Sequence, residues 1–430
     1  MGRRALLIKQ MLTSKQKNYF LQRLFKLLSI KSISADPNFR SESLRAVEFL
    51  KQELVEIGFK KKKIEELYAD GLSEKTNNPV LYVERLVDPT KPTLLIYGHY
   101  DVQPPDPIDL WTTPPFEPVV RDGKIFARGA TDDKGQLYTH LAALKIFSEK
   151  NGGKFPFNIK ILIEGEEESG GVNIEKLVTE NPQKFKANVC LISDTGFVAK
   201  DIPAIEIGLR GIVYFEMEVI TGEKDLHSGI FGGSVRNPLN TIAKILSELE
   251  TKFNNPKLIA IPENAKATCL DLHGIVGGFQ GEGAKTVIPN KASAKFSVRL
   301  TPAQTPTKVI KMVRSFVEQR TLKGVDINLK VLGTGEAFLA NDSGPYMQLA
   351  LKSMGKIFGK TPELSRSGGS IPIVVTIAKK TGAEMILMGY GLPDDNLHSP
   401  NEKLDLDQFY KGIECNLEFL NQLSKLDKAP

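Results

Sequence analysis

The chain has 430 residues, too many for one ordinary hydrophobic core, and this predicts two domains. Hydrophobic residues make up 41% and charged residues 25%, which are globular values and exclude a disordered chain. The formal charge of +6 is spread thinly, and the one tight basic run, Lys60-Lys61-Lys62-Lys63, has no interleaved aromatics, so it reads as a solvated helix end and not a nucleic-acid patch.

The three cysteines, Cys190, Cys269 and Cys415, are far apart and odd in number. They form neither a zinc knuckle nor a disulfide framework, and they suit a reducing compartment. The basic start carries too short an apolar run for a signal peptide, and no stretch reaches the roughly 18 apolar residues of a membrane span. The expectation is a soluble, cytoplasmic protein that binds neither membrane nor nucleic acid.

In chain order, residues 14–30 and 40–58 carry apolar side chains at helical spacing, with Ser41-Glu42-Ser43 as a candidate N-cap for the second. Residues 80–83 and 93–97 read as strands. A Pro- and Gly-rich loop follows from 101 to 126, with a short strand at 124–126, and then a helix over 136–148. Residues 158–163, 189–193 and 204–208 are further apolar strands. Strands alternating with helices predict a mostly parallel sheet covered on both faces, a three-layer α/β arrangement.

At Gly211 the pattern changes to the alternation of half-exposed strands. A strand near 213–220, a helix at 238–249, a Gly- and Pro-rich stretch, a strand at 292–300, a helix at 306–319 and a strand at 325–331 follow. Two strand–helix–strand units predict a small α+β, ferredoxin-like layer with an antiparallel sheet, inserted at 212–332. The flanking segments 1–211 and 333–430 then form one discontinuous domain, completed by a helix near 346–358, a strand at 385–388 and a closing helix at 406–423.

Polar residues recur where the apolar strands end. The run Leu94-Leu95-Ile96-Tyr97-Gly98 delivers His99 and Asp101, which point the same way from an extended segment. The next turn carries Asp132 and Asp133, the strand at 158–163 leads into Glu166, Glu167 and Glu168, the strand at 189–193 into Asp194, and a late loop into His398. Ligands bind at the carboxyl ends of such strands. Acidic groups gathered at one edge repel one another and cost several kcal/mol to bury unless a cation compensates them. Two imidazoles with several carboxylates suit Zn²⁺, with Mn²⁺ or Co²⁺ possible, and more than four candidate ligands favour two ions over one. A histidine ligand needs its second ring nitrogen held by an acceptor, a task that Asp101 can perform for His99. His140, inside a helix, and His273, beside a Gly-rich strand, read as structural.

Eight segments in order carry a resemblance: GHYDVQPP (98–105), GATDDKGQ (129–136), EGEEESGG (164–171), ISDT (192–195), DLHSGIFGG (225–233), KTVIPNKASAKFSVRL (285–300), SGGSIP (367–372) and LHSPNEKL (397–404). The sequence resembles the dizinc peptidases that include aminoacylase, acetylornithine deacetylase, succinyl-diaminopimelate desuccinylase and carboxypeptidase G, and most of all their nonspecific dipeptidase and carnosinase branch. The resemblance implies that His99 and Asp194 hold one zinc, that Glu168 and His398 hold the other, and that Asp132 bridges them across a cis Asp132–Asp133 peptide. It implies that Asp101 orients His99 and that Glu167 is the general base. Glu166 is left with a solvated or helix N-terminal role, and Asp133 with support of the turn. From the inserted domain, which the resemblance makes a lid and dimerisation module, His227 reaches across a homodimer to the oxyanion. Arg366 clamps the substrate carboxylate, with Gly369 and Ser370 bringing backbone donors close.

The implied reaction is hydrolysis of dipeptides. Hydrolysis of N-acyl amino acids by the same centre is the nearest alternative, and an inactive binding protein on this fold would need a missing ligand or base, of which none is missing.

Overall fold

The computed structural model describes residues 12–73, 76–254, 268–366 and 371–430. The chain divides into two compact units, one running up to Ile207 with Ala340–Ser365 and Thr376–Pro430, the other Gly208–Leu339 with Arg366–Val375. Strands are β1 (Glu65–Leu67), β2 (Val80–Arg85), β3 (Thr93–His99), β4 (Val119–Arg121), β5 (Lys124–Phe126), β6 (Asn158–Glu164), β7 (Val189–Ile192), β8 (Ala204–Leu209) and β9 (Gly211–Ile220). They continue with β10 (Leu226–His227), β11 (Cys269–Gly277), β12 (Val287–Ile288), β13 (Lys291–Leu300), β14 (Asp326–Gly335), β15 (Phe338–Leu339), β16 (Glu363–Arg366), β17 (Glu384–Leu387) and β18 (Lys403–Asp405).

The central sheet of the first unit runs in the order β1-β2-β6-β3-β7-β17-β8. Its middle strands β6, β3, β7 and β17 are parallel. They are buried along nearly their whole length, as continuous apolar runs require. The sheet is antiparallel at its flanks, where β2 joins β6 and β8 joins β17. Leu94 and Ile96 of β3, Ile159, Ile161 and Ile163 of β6, and Val189 and Leu191 of β7 share a core with the helices Ser14–Leu28, Arg40–Ile57, Lys134–Lys150, Pro345–Phe358 and Leu406–Leu423. The alternate residues Leu95, Tyr97, Leu162, Cys190 and Ile192 are equally buried, so both faces of the sheet are covered. Helix Lys134–Lys150 is buried over most of its length and contacts Ser14–Leu28, Arg40–Ile57 and Leu406–Leu423.

Local chemistry places the elements more finely than the periodicity did. Helix Arg40–Ile57 is entered through a 3₁₀ turn, Pro37–Phe39, which Asp36 caps by accepting from the Asn38 amide at 2.9 Å; the helix itself starts after Phe39 with no side-chain cap. Proline fits the first helical position, so the chain turns before Ser41, the expected cap. Gly58, at φ 110°, ends the helix in the left-handed conformation. A helix at Val172–Glu180 and another at Pro372–Thr381 lie where the sequence shows no distinct signal. No helix among the described residues is long and apolar enough to cross a membrane.

The second unit has an antiparallel sheet in the order β11-β13-β9-β14. Val213, Phe215, Met217 and Val219 of β9 alternate inward and pack with helices Pro238–Phe253 and Pro306–Glu318. β11 corrects the sequence reading, which placed only a Gly- and Pro-rich stretch there. A register shift between Leu272 and Gly274 breaks the alternation that marks a strand. Among the described residues β11 pairs only with β13, and Leu272, Ile275 and Val276 are exposed along it.

Candidate metal centre

β3 ends inside the first unit with His99, which is 0% exposed. Gly98 precedes it because a Cβ there would meet Asp133 Oδ2 at 2.8 Å. That approach lets Asp133 Oδ2 accept from the His99 amide at 3.2 Å. The His99 ring has two different sides. Nδ1 faces Asp101, at 3.2 Å from its carbonyl oxygen and 3.3 Å from Oδ1. An acceptor there holds the ring proton on Nδ1 and turns the Nε2 lone pair outward. Nε2 lies 3.1 Å from Asp132 Oδ1 and 3.8 Å from Asp194 Oδ2.

Asp132 offers its second oxygen to the other histidine. His398 Nε2 is 3.0 Å from Asp132 Oδ2 and 3.3 Å from Glu168 Oε2. His398 stands at φ 59° on an exposed loop. Glu168 is held from both ends: Gln103 Nε2 donates to Oε2 at 2.8 Å, and the Glu168 amide donates to Asp101 Oδ2 at 3.0 Å. The Asp132–Asp133 peptide is cis.

Two donor triads result, His99-Asp132-Asp194 and Asp132-Glu168-His398, and within each the ligating atoms lie within 4.8 Å of one another. They share Asp132, one oxygen turned to each side. The electrostatics have the same character. Burial would raise the Asp132 carboxyl, but hydrogen bonds from His398 and His99 hold it well below the usual range. Burial and the neighbouring Asp132 push Asp194 up to about 7. Burial raises Glu167 well above the ordinary carboxylate range, with His99 pulling the other way and Asp194, Glu164 and Glu168 adding to the rise. Hydrogen bonds to Asp132 and Glu168 push the His398 imidazole up to about 10. Carboxylates that hold one another protonated, facing imidazoles that draw protons, are in the state that a divalent cation relieves. These residues fit a pair of such cations.

The structure brings His99, Asp101, Asp132, Glu167, Glu168, Asp194 and His398 together in the first unit. His227 and Arg366 belong to the second unit. His227 Nδ1 accepts from the Gly229 amide at 3.0 Å, so a neutral ring carries its proton on Nε2. Arg366 ends β16, its stem packed over Gly208, where an added Cβ would lie 2.9 Å from Cγ. Gly369 and Ser370 lie outside the described residues.

Glu166 stands at the N-cap position of a 3₁₀ turn, Glu167–Ser169, but its side chain does not cap it; its Oε1 accepts from the Asn78 amide at 2.6 Å. It pins the segment before β2. His140 and His273 are structural. Ser193 Oγ donates to the Met388 carbonyl at 2.9 Å and stands 2.7 Å from His140 Nε2, and His273 Nε2 is 2.9 Å from Ser297 Oγ. Four supporting residues, Glu402, Thr131, Asp395 and Gln103, escaped the sequence reading. Glu402 Oε1 accepts from the amides of Thr131 and Asp132 at 3.0 and 3.1 Å. Its Oε2 accepts from the Gly129 amide at 2.9 Å and the Arg128 guanidinium at 2.8 Å. Thr131 Oγ1 is 2.9 Å from Asp395 Oδ2, and Gln103 supports Glu168 as above.

A mostly parallel sheet carrying two cation-ready triads, built from its strand ends and the loops beside them, defines a metallohydrolase. The chain belongs to Peptidase family M20/M25/M40, which its residues 95–422 match. It is 33% identical to the Cys-Gly metallodipeptidase dug1 of Schizosaccharomyces pombe, over 96% of this chain and 97% of that protein. It is 30% identical to the Beta-Ala-His dipeptidase of Homo sapiens, over 95% and 90% of the two chains. Among solved structures, the M20 family metallo-carboxypeptidase Sso-CP2 from Sulfolobus solfataricus superposes with a TM-score of 0.81 at 30% identity, over 95% of this chain and 99% of that one.

Proposed function

We propose that the protein is a dipeptidase whose two zinc ions, or Mn²⁺ or Co²⁺ in their place, are held by His99 and Asp194 on one side, Glu168 and His398 on the other, and Asp132 between. The observation that carries this reading is the division of Asp132, one oxygen 3.1 Å from His99 Nε2 and the other 3.0 Å from His398 Nε2. Dipeptides as substrates follow from the relatives, whose names specify Cys-Gly and β-Ala-His. Bound there, the cations supply Lewis acidity that lowers the pKa of water and polarises a carbonyl.

The remaining work falls to side chains. Glu167 takes a proton at its carboxylate from the attacking water and returns it to the leaving amine. Its raised affinity for protons suits that exchange. Asp101 keeps the His99 proton on Nδ1. His227, its Nδ1 already engaged by Gly229, has Nε2–H to give to the oxyanion, and it acts in trans within a homodimer. The second unit serves as lid and dimerisation module. The open side of β11, with Leu272, Ile275 and Val276 exposed, is suited to cover by a second copy. Arg366 offers the planar fork that a substrate carboxylate requires, with Gly369 and Ser370 nearby in sequence. Three free thiols suit a cytoplasmic setting.

The test is a panel of Ala-Ala, Cys-Gly and β-Ala-His beside N-acetyl amino acids, assayed with added Zn²⁺, Mn²⁺ and Co²⁺. Dipeptides are expected to turn over with the higher kcat/KM, and a preference for the N-acetyl series overturns the assignment. Glu167→Ala is expected to keep both metals and lose about 10²–10⁴-fold in kcat. Undiminished turnover shifts the base to another residue.

A further inference from the structure

The second triad depends on a loop. His99 is the last residue of the buried strand β3 and Asp194 lies two residues beyond the buried strand β7, so the sheet fixes them. Asp132 and His398 are not so fixed. Asp132 lies in the turn before helix Lys134–Lys150, and His398 lies on an exposed stretch whose residues Asn396, His398 and Asn401 all stand at positive φ. Something else has to fix the separation between them.

Glu402 spans that separation. It is four residues beyond His398, at the entrance to β18, and it is fully buried. Both of its oxygens are used, each by two donors, and all four donors belong to the segment Arg128–Asp132. The last donor is the amide of Asp132 itself. A second tie runs parallel to it, from Thr131 Oγ1 to Asp395 Oδ2 at 2.9 Å, and Asp395 is held in turn by Lys403 Nζ at 2.6 Å. The loop carrying His398 is thus bolted at both ends to the turn carrying Asp132.

We propose that Glu402 is a positioning residue that sets Asp132 against His398 and so determines whether the second metal is held. The inference rests on the ligand assignment proposed above. Only a carboxylate fits. A glutamine of the same shape presents an NH₂ group to two donors on one side, where it cannot accept. An aspartate keeps both acceptors but withdraws them by one methylene, so it cannot reach all four. Either change frees the Asp132 turn from the His398 loop while His99 and Asp194 keep their strand-end positions.

The experiment is a Zn²⁺ titration of the apo-protein against a competing chelator, for wild type, Glu402→Gln and Glu402→Asp, with the melting temperature of each apo-protein recorded beside it. Wild type is expected to bind two ions. Both variants are expected to hold the first within about threefold of wild type and the second about 10–100-fold more weakly, the loss typical of a residue that orients ligands. A fall in apo melting temperature with both affinities unchanged makes Glu402 merely structural and overturns the proposal, as does equal weakening of both sites. If the buried Arg128, left without its partner, prevents Glu402→Gln from folding, Glu402→Asp decides by the same criteria. A wild type that binds no metal pair refutes the ligand assignment instead, an outcome distinct from two ions bound equally well by all three proteins.

Discussion

His99 and His398 approach the same carboxylate from opposite sides, yet their surroundings share little. His99 is 0% exposed, ends a parallel strand, and has its second nitrogen held by Asp101. His398 has a side chain 55% exposed and sits on a loop of positive-φ residues. One is placed by the sheet, through hydrogen bonds that the fold must make anyway. The other is placed by Glu402 and Asp395, which tie its loop to the Asp132 turn while also pairing with Arg128 and Lys403. The difference teaches that a symmetric pair of triads can have two separate origins, and that they should fail separately.

The strongest way to break the comparison is Asp132→Ala, which removes the shared ligand. Both metals are expected to be lost, with kcat/KM for a dipeptide reduced at least as far as by loss of the base, about 10⁴-fold or more. Metal analysis after gel filtration checks this, and one retained equivalent would show that Asp132 serves a single ion. Asp101→Asn sharpens the comparison from the buried side. It keeps the shape but withdraws the charge from His99 Nδ1, so the first ion is expected to weaken about 10–100-fold while the second stays near wild type. Equal weakening in a chelator competition would mean that Asp101 acts on both, through the Glu168 amide that it also accepts from.

The smallest effect concerns His140, beneath the strand that leads to Asp194. Ser193 Oγ gives its proton to Met388, so His140 Nε2–H donates to Ser193, and the bare Nδ1 has no hydrogen-bond partner among the described residues. Burial lowers this imidazole to about 3. In the unfolded chain it titrates near about 6.5. The unfolded state therefore binds the extra proton below that value, and stability falls as the pH drops through the window from about 6.5 to about 3, by up to about 1.4 kcal/mol per pH unit. His140→Gln keeps a donor toward Ser193 and lacks the titration. Urea unfolding of the EDTA-treated proteins at pH 6 and pH 4 is expected to show the variant losing about 2 kcal/mol less than wild type over that interval. Equal losses would place the acid sensitivity elsewhere.

Much of the centre was legible because the strands announce their ends. An apolar run that stops at Gly98 and delivers His99 and Asp101, or one that stops at Ser193 and delivers Asp194, reads the same way in sequence and in space. Glu402 was not legible. A single acid in a turn-rich loop has no period to betray it, and what marks it is burial beside Arg128, a contact between residues 274 apart in sequence. The one available signal was its place in the LHSPNEKL segment, close behind His398. The antiparallel layer of the second unit was readable from the alternation along β9 and β13, while β11 escaped because the register shift after Leu272 leaves consecutive residues exposed. The entry to helix Arg40–Ile57 was misplaced because Ser41 has the right chemistry for a cap, but Pro37 has the right backbone for the 3₁₀ turn that Asp36 caps ahead of the helix. Arg366 and His227 owe their assigned roles to resemblance, since neither a strand end nor a period singles them out.

Chain order also bears on how the protein is made. The second unit separates Asp194 from His398 in sequence, so a ribosome finishes His99, Asp132 and Asp194 long before it reaches His398 and Glu402. The nascent chain can assemble one triad early, whereas the other must wait for contacts of very high sequence separation, which form slowly. Until Glu402 emerges, the amides of Gly129, Thr131 and Asp132 have no carboxylate to meet. Under the proposed ligand assignment, translation thus completes the Asp132-Glu168-His398 triad last.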